Sequence, residues 1–244
     1  MKTEYYNDKS LKLEKSLAKY LRKIRELLIR RYGNTRANDI IERATFYYPA
    51  IIPKIPFVST PMYDSLLVLN SKMMALKKGM KAEGIGLEEF VNLQIEVLRK
   101  QTDNIPKVIK KLMGRLYLSR IIRPLLKRVG RSASHNGWPT QVIDGKKSDD
   151  FNMKICTRDC QMVNFMKSVG EDDLIPYCSF ADFTNAESMG FGLKQTSTID
   201  SDECTFCFSK KGKVQWPDAV QRILMDTHVY SGTAPETKSY ETGY

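Results

Sequence analysis

Apolar and polar positions recur with a helical period along the first half of the chain. Apolar side chains return every three or four residues over 8–32, 63–83 and 87–100, which predicts three amphipathic helices. A shorter helix is predicted over 38–47. The four prolines between 49 and 61 predict an extended segment after it, because proline removes a backbone donor and fixes φ.

The apolar period changes after residue 130. A Ser-, Gly- and Asp-rich stretch predicts a loop there, and alternating apolar residues beyond it predict strands. The predicted elements are a brief strand near 138–142, a strand at 151–155, helices at 160–169 and 174–188 (the latter broken near Pro176), a hairpin with strands at 193–197 and 204–208, and a short helix at 218–227.

These elements predict an α+β fold, with a helical N-terminal region followed by a small mixed α/β region that has a C-terminal β-hairpin. The expected division is a helical region at 1–130, an α/β region at 131–230 that carries the site, and a polar tail at 231–244. We expect the first two regions to form one integrated domain.

Composition limits the compartment and the partners. The 244 residues contain no apolar run long enough to span a bilayer and no apolar centre of a secretion signal near residue 1. Five cysteines are an odd number and too few for a disulfide framework, so free thiols in a reducing compartment are expected. The sequence therefore predicts a cytoplasmic protein that has a small-molecule substrate and contacts no membrane; a homo-oligomer stays open.

A basic segment accounts for much of the net charge of +11. A helix kinked near Pro124 is predicted over 105–130, and it carries a dense run of lysines and arginines. Such a helix can contact phosphates, but only one aromatic residue, Tyr117, interrupts the run and no nucleic-acid motif is present. The favoured interpretation is a solvated cationic face with the apolar residues turned inward, and no nucleic-acid partner; a third use is an arginine that reaches a carboxylate ligand. These inward residues are Ile109, Leu112, Leu116, Ile121 and Leu125.

The candidate catalytic and binding residues lie between Cys160 and Phe208. Among them are one carboxyl group, Asp182, and the thiols of Cys160, Cys178 and Cys204. Cys178 and Asp182 are four residues apart, which is one turn if that segment is helical. Cys160 and Cys178 both lie near predicted helix starts, a position that favours a thiolate. The alternative is that cysteine serves here as a small apolar residue.

Metal binding is not favoured. Cys156 and Cys160, and Cys204 and Cys207, have spacings that zinc sites use. However, residues three apart on a strand point to opposite faces, so Cys204 and Cys207 cannot converge there. No metal and no cofactor are expected.

Histidines add little to the site. There are two, His135 in the loop before the α/β region and His228 near the tail, and His135 is the one that could fold over a site. The sequence has no G-x-S-x-G, no HExxH and no Gly-rich phosphate loop, which argues against several large enzyme classes.

Together these residues resemble the L-2-amino-thiazoline-4-carboxylic acid hydrolase family. The similar parts are the strand NMKIC, the helix that opens at Cys160, the Cys178-x-x-x-Asp182 pair and the hairpin STIDSDECTFCF, with PKIPF and GIGLEEF upstream. The resemblance covers most of 40–210.

The chain departs from the family pattern at several positions. Gln161 stands where the family has proline, Gln195 where the hairpin has arginine, and Thr205 where the family has aspartate, and the turn at 200–203 is shorter and lacks glycine. Loss of the arginine and the aspartate implies a lost ion pair or an altered site for a substrate carboxylate.

The resemblance implies a hydrolase that opens a small cyclic substrate, such as L-2-amino-thiazoline-4-carboxylate, to N-carbamoyl-L-cysteine. Cys178 is then the expected nucleophile and Asp182 the base; alternatively a water on Asp182 attacks while Cys178 only shapes the pocket. The expected substrate-binding residues are Cys160, Gln195, Thr196, Thr198, Cys204 and His135. A second hypothesis is a non-catalytic small-molecule-binding or sensing protein on the same scaffold.

Overall fold

The computed structural model describes residues 4–135, 137–146, 148–196 and 203–230. Its α-helices are α1 (Glu4–Asn7), α2 (Ser10–Tyr32), α3 (Asn34–Ile51), α4 (Pro61–Ala82), α5 (Leu87–Asp103), α6 (Lys107–Tyr117), α7 (Arg123–His135), α8 (Gln161–Ser168), α9 (Phe180–Met189) and α10 (Asp218–Tyr230). Its strands are β1 (Thr140–Asp144), β2 (Met153–Arg158), β3 (Gly192–Gln195), β4 (Glu203–Ser209) and β5 (Val214–Gln215), and 3-10 turns occupy Ile52–Lys54 and Asp172–Tyr177. Helices precede strands, so the α+β prediction is confirmed.

Helices α2 to α5 form the N-terminal layer, and their apolar stripes face one another. Helices α3 and α4 approach closely at Gly79, where an added Cβ would lie 2.5 Å from the carbonyl oxygen of Ile40 and 2.9 Å from the amide nitrogen of Ala44. Only glycine allows the two backbones this close together. Fully buried side chains such as Leu28, Tyr48 and Leu76 fill the space between the helices.

One boundary prediction is wrong. The extended segment was expected to begin at Pro49, but α3 continues through this proline to Ile51. Pro49 lies in the last turn, where it removes a single helical hydrogen bond, and the amide of Ile52 still bonds the carbonyl of Tyr48. The cost to the helix is therefore small.

The five strands form one mixed sheet in the order β1-β2-β4-β3-β5. The β3 and β4 strands pair antiparallel, with Gln195 opposite Phe206, which confirms the predicted hairpin. The β5 strand was not predicted; it has two residues and runs parallel to β3. A strand this short has no detectable alternation.

Register divides the strand side chains between two faces of the sheet. Cys204 lies opposite Thr157 and Phe206 opposite Ile155, so these alternate residues share one face. Phe206 packs there in a small core with residues of α9, including Phe183. Cys207 lies opposite Lys154 and belongs to the other face. The prediction that Cys204 and Cys207 point to opposite faces is confirmed.

A single large core joins the two sequence regions. It contains side chains from α2 to α5 together with Trp138, Phe165 and Ile223 from beyond residue 130. A buried ionic cluster also crosses this boundary. The ammonium group of Lys77 on α4 bonds the carboxylates of Glu171 and Asp173, and Lys78 reaches Glu171 at 2.6 Å.

Helices α6 and α7 contradict the inward interpretation of the basic segment. Helix α6 contacts α9 through Gly114, where an added Cβ would lie 2.6 Å from the carbonyl oxygen of Met189. The apolar stripe of α6 lies on the side away from this contact. All five residues that were expected to turn inward are exposed: Ile109, Leu112, Leu116, Ile121 and Leu125. The periodicity shows that a stripe exists, but it does not show which side of the helix packs.

No helix in the described ranges is long and apolar enough to cross a bilayer.

Candidate active site

Three thiols and one carboxyl group converge where α8, α9 and β4 meet. Cys160 precedes α8, Cys178 follows the 3-10 turn, Asp182 lies in the first turn of α9, and Cys204 lies on β4. Each of the three thiols is close enough to Asp182 for the carboxylate charge to raise its pKa. The structure thus brings together the two predicted catalytic residues and two of the predicted binding residues.

Asp182 is open to solvent on one side of the cluster. Its side chain has exposed surface, although protein surrounds it on its other sides. This enclosure limits hydration of the carboxylate and raises the pKa of Asp182 to about 6. No described cation forms an ion pair with it. A carboxyl group with this pKa that water can reach is able to accept and return a proton near neutral pH.

Cys160 owes its position to a sharp change of chain direction. Strand β2 ends at Arg158, Asp159 adopts the left-handed φ of 42°, and Cys160 then caps α8. Burial raises the pKa of the Cys160 thiol, but the amides of Met162 and Val163 and the indole of Trp138 lower it. Of the three thiols, Cys160 therefore has the most donors that favour the thiolate.

Trp138 supplies a donor that the sequence did not reveal. Its side chain is 4% exposed, and its indole N–H lies near the Cys160 thiol without forming a hydrogen bond of ordinary length and angle in the described part of the chain. It lies against Tyr63, with ring centroids 4.6 Å apart. A buried unpaired donor is costly, so this N–H beside Cys160 is suited to a ligand oxygen or nitrogen.

Cys178 has a more apolar environment. It is half-buried against the large core and lines a void of about 10 Å³ with Met74, Phe90 and Met166. Burial raises its pKa well above the usual value, and the nearby Cys160, Cys204 and Asp182 raise it further. These surroundings suit a thiol that packs more than one that ionises.

Gln195 links α9 to the hairpin. The buried hydroxyl of Ser179 donates to its amide oxygen at 3.1 Å, and its amide nitrogen donates to the Cys204 sulfur at 3.5 Å. The pKa of Cys204 is nevertheless raised to about 12, chiefly by burial and then by Cys160 and Asp182. An arginine in place of Gln195 would lower it.

Two tyrosines lie beside the cluster. Tyr117 ends α6, and burial together with the nearby Asp182 and Tyr63 raises its pKa to about 12. Tyr63 lies in the first turn of α4; burial raises its pKa, a hydrogen bond with Thr140 lowers it, and the nearby Cys160 raises it. Both hydroxyls stay protonated at neutral pH and can donate to a ligand.

Other predicted site residues lie elsewhere. The Thr196 hydroxyl is 4.0 Å from the sulfur of Cys207, on the face of the sheet opposite Gln195. His135 ends α7 with an exposed side chain and has no hydrogen bond or ion pair to the cluster among the described residues. Thr198 lies outside the described residues, as does the side chain of His228.

Metal ligation finds no support in the described ranges. No group of three or more His, Cys, Asp or Glu side chains in them is placed to hold a metal ion. Cys156 and Cys160, whose spacing fits zinc, differ in setting: Cys156 is on the Cys207 face of the sheet, whereas Cys160 caps α8.

Sequence reasoning missed Trp138, Ser179, Tyr63 and Tyr117. Ser179 was placed inside the helix predicted over 174–188, whereas α9 begins at Phe180 and the Ser179 hydroxyl donates to Gln195. The tyrosines are more than 40 positions from Cys160 and no local pattern connects them.

No protein-family model, curated protein or solved structure matches the chain. The assignment of a function therefore rests on the site itself.

Proposed function

We propose that the chain is a hydrolase that opens a small cyclic substrate at this site, with L-2-amino-thiazoline-4-carboxylate as the first compound to test. The observation that carries the proposal is Asp182, a water-accessible carboxyl group with a pKa of about 6 beside three thiols and with no described cation paired to it. A structural carboxylate is normally neutralised or solvated, whereas a proton-transfer group needs a pKa near the working pH.

The chemistry requires one water and no further reactant. Asp182 takes a proton from water as the hydroxide adds to the ring carbon between nitrogen and sulfur, and the nitrogen, whose double bond to that carbon becomes single, takes this proton from Asp182. The carbon–sulfur bond then breaks as the new hydroxyl becomes the carbonyl, and the hydroxyl proton passes through Asp182 to the departing sulfur. The product is an N-carbamoyl-cysteine, one water heavier than the substrate.

In a covalent variant a thiol attacks the ring carbon and displaces the ring sulfur, which takes the thiol proton; the one water then displaces the enzyme sulfur from this isothiourea intermediate. Here the surroundings support Cys160 better than the predicted Cys178, because only Cys160 has helix amides and an unpaired indole N–H beside it. The same donors would stabilise negative charge that develops on the substrate. Cys178 would then pack beneath the site.

Incubation with the thiazoline and mass spectrometry of the products tests both variants. Asp182→Asn should remove turnover, and Cys178→Ala should retain most of it. Cys160→Ala and Cys160→Ser separate the variants: loss in both supports covalent attack, and full activity in both supports direct attack by water. Turnover that survives in Asp182→Asn contradicts the proposal. A cytoplasmic location and a homo-oligomer remain predictions.

A second candidate is a binding or sensing protein without turnover. One observation favours it: burial raises the pKa of all three thiols, which disfavours a nucleophilic thiolate. Calorimetric titration that detects binding without product would support this role. Such a ligand should bind more weakly to a Trp138→Phe variant, which removes the indole N–H together with part of the buried ring.

A further inference from the structure

The exposed face of α6 and α7 is an unusual surface. Seven large apolar side chains lie open to solvent between residues 108 and 125, and Val108 and Ile121 are each 80% exposed. They are Val108, Ile109, Leu112, Met113, Leu116, Ile121 and Leu125. Contiguous exposed apolar surface costs solubility, and it generally marks a contact site.

The same segment is strongly cationic. Nine lysines and arginines lie between Asp103 and Asp144 with no acidic residue among them: Lys107, Lys110, Lys111, Arg115, Arg120, Arg123, Lys127, Arg128 and Arg131. Within the described chain only Arg123 and Lys127 form ion pairs, both with Asp144. The other seven charges are available to an external anion.

Two recesses concentrate these charges. One, of about 290 Å³, is lined by Lys111 and Arg115 of α6 and by Lys210 and Lys211 from the turn after β4. The other, of about 500 Å³, is lined by Arg120 and Arg131, and by Asp144 with its two partners Arg123 and Lys127. Each offers several cations to one anionic group.

Against the sequence-based expectation of no membrane contact, we propose that α6 and α7 form a docking surface for a membrane that contains anionic lipids. Cations would contact the lipid phosphates and carboxylates, and the outward apolar side chains of α6 would enter the interfacial layer. A helix that packs through one glycine and presents its apolar stripe outward is suited to lie in such an interface. The proposal is independent of the hydrolase assignment.

Charge and shape favour this partner over two others. A symmetric contact with a second copy would bring two cationic faces together, which like charges oppose. A nucleic acid would satisfy the cations but leave the aliphatic stripe in water, and this face exposes no aromatic side chain on which bases could stack. An anionic membrane surface can both bind the cations and bury the aliphatic stripe.

Co-sedimentation of the full chain with vesicles tests the proposal. Binding is expected to phosphatidylcholine vesicles that contain phosphatidylserine, and not to phosphatidylcholine alone. Replacing Lys111 and Arg115 with Gln should weaken binding by about 25-fold, since each cation near the surface contributes about fivefold. Leu112→Asn should weaken it by roughly tenfold through lost apolar burial.

Matched controls come from α2. Leu11 and Leu112 are each 64% exposed, so Leu11→Asn should leave vesicle binding unchanged. The Lys12→Gln, Lys15→Gln pair should lower binding far less than the α6 pair. All six substitutions are at exposed positions, so folding is not at risk.

Several outcomes would overturn the proposal. These are no difference between the two vesicle types, equal losses in the α6 and α2 variants, a dimer that Leu112→Asn dissociates, and tight binding to nucleic acid without binding to vesicles.

Discussion

The helical region around Lys77 and the region around Asp182 treat an enclosed carboxyl group in opposite ways. Glu171 has a side chain only 3% exposed, and both Lys77 and Lys78 neutralise it. Asp182 is reached by water, has no described cation as a partner, and has its pKa raised to about 6. The carboxylate that joins helices is thus neutralised by lysines, whereas the carboxyl group at the candidate site has no described cation beside it.

The largest loss of stability should come from removing Lys77, which neutralises the buried Glu171. Lys77→Met leaves Glu171 buried with a single, more exposed partner, and should lower the free energy of unfolding by about 3 kcal/mol. Urea unfolding at neutral pH measures this. Lys78→Met is the matched control and should cost much less, because Lys78 is the more exposed of the two lysines. Equal costs for the two variants would contradict the assigned role of Lys77.

A Lys77→Met, Glu171→Leu double variant should recover most of that loss. Replacing both partners of a buried pair with apolar side chains removes the unpaired charge, which is the main cost. Asp173, half-exposed, can rely on water for its own solvation. A double variant as unstable as Lys77→Met would show that the lysine acts through packing instead.

Alanine at the two glycines that lie in close helix contacts should also have different costs in the two regions. Gly79→Ala places a Cβ against backbone atoms of α3, which cannot yield, and should cost about 2 kcal/mol. Gly114→Ala meets the carbonyl of Met189 at a similar distance, but α6 is exposed along its apolar stripe and is held otherwise by Tyr117 at its C-terminal end, so its first turns can move outward. The better helix propensity of alanine then offsets much of the strain, so we expect less than about 1 kcal/mol. Thermal unfolding of both variants decides this.

The sequence revealed more of the fold than of the site. Period and turn residues located most helices, the hairpin and the Cys178–Asp182 pair, because these depend on neighbours in the chain. Trp138 and Tyr63 escaped prediction, since only tertiary packing brings them to Cys160. The outward face of α6 also escaped, because Gly114 rather than the apolar stripe makes its contact. Local patterns thus show which residues share a face, whereas packing decides where that face points.

A smaller effect is expected from the pH dependence of Asp182. The pKa of this carboxyl is about 6 in the folded protein and about 4 when unfolded, so the folded state holds the proton more tightly. Its contribution is fully favourable below about pH 4 and is lost as the pH rises through about 6. Asp182→Asn should therefore stabilise the protein at pH 8, by about 1 kcal/mol after allowance for solvent screening, and make no difference at pH 3.5. Urea unfolding at the two pH values measures it, and a stabilisation that is equal at both would contradict the proton-linked origin.

The smallest effect should come from adding the cation that this site lacks. Gln195 already contacts the Cys204 sulfur and the Ser179 hydroxyl, so Gln195→Arg would place a guanidinium group beside the thiols. An adjacent cation favours the thiolate, and the pKa of Cys204 should fall by about half a unit, or about 0.7 kcal/mol. The pH profile of Cys204 alkylation, followed by mass spectrometry, reports this shift.

Gln195→Met is the control for this variant, because it removes the hydrogen bonds without adding charge and should not lower the pKa of Cys204. Cys207 lies on the other face of the sheet and should alkylate unchanged in both variants. If Gln195→Arg leaves the Cys204 profile unchanged, the missing cation is not what separates this site from the Lys77 cluster, and burial alone sets its thiol chemistry.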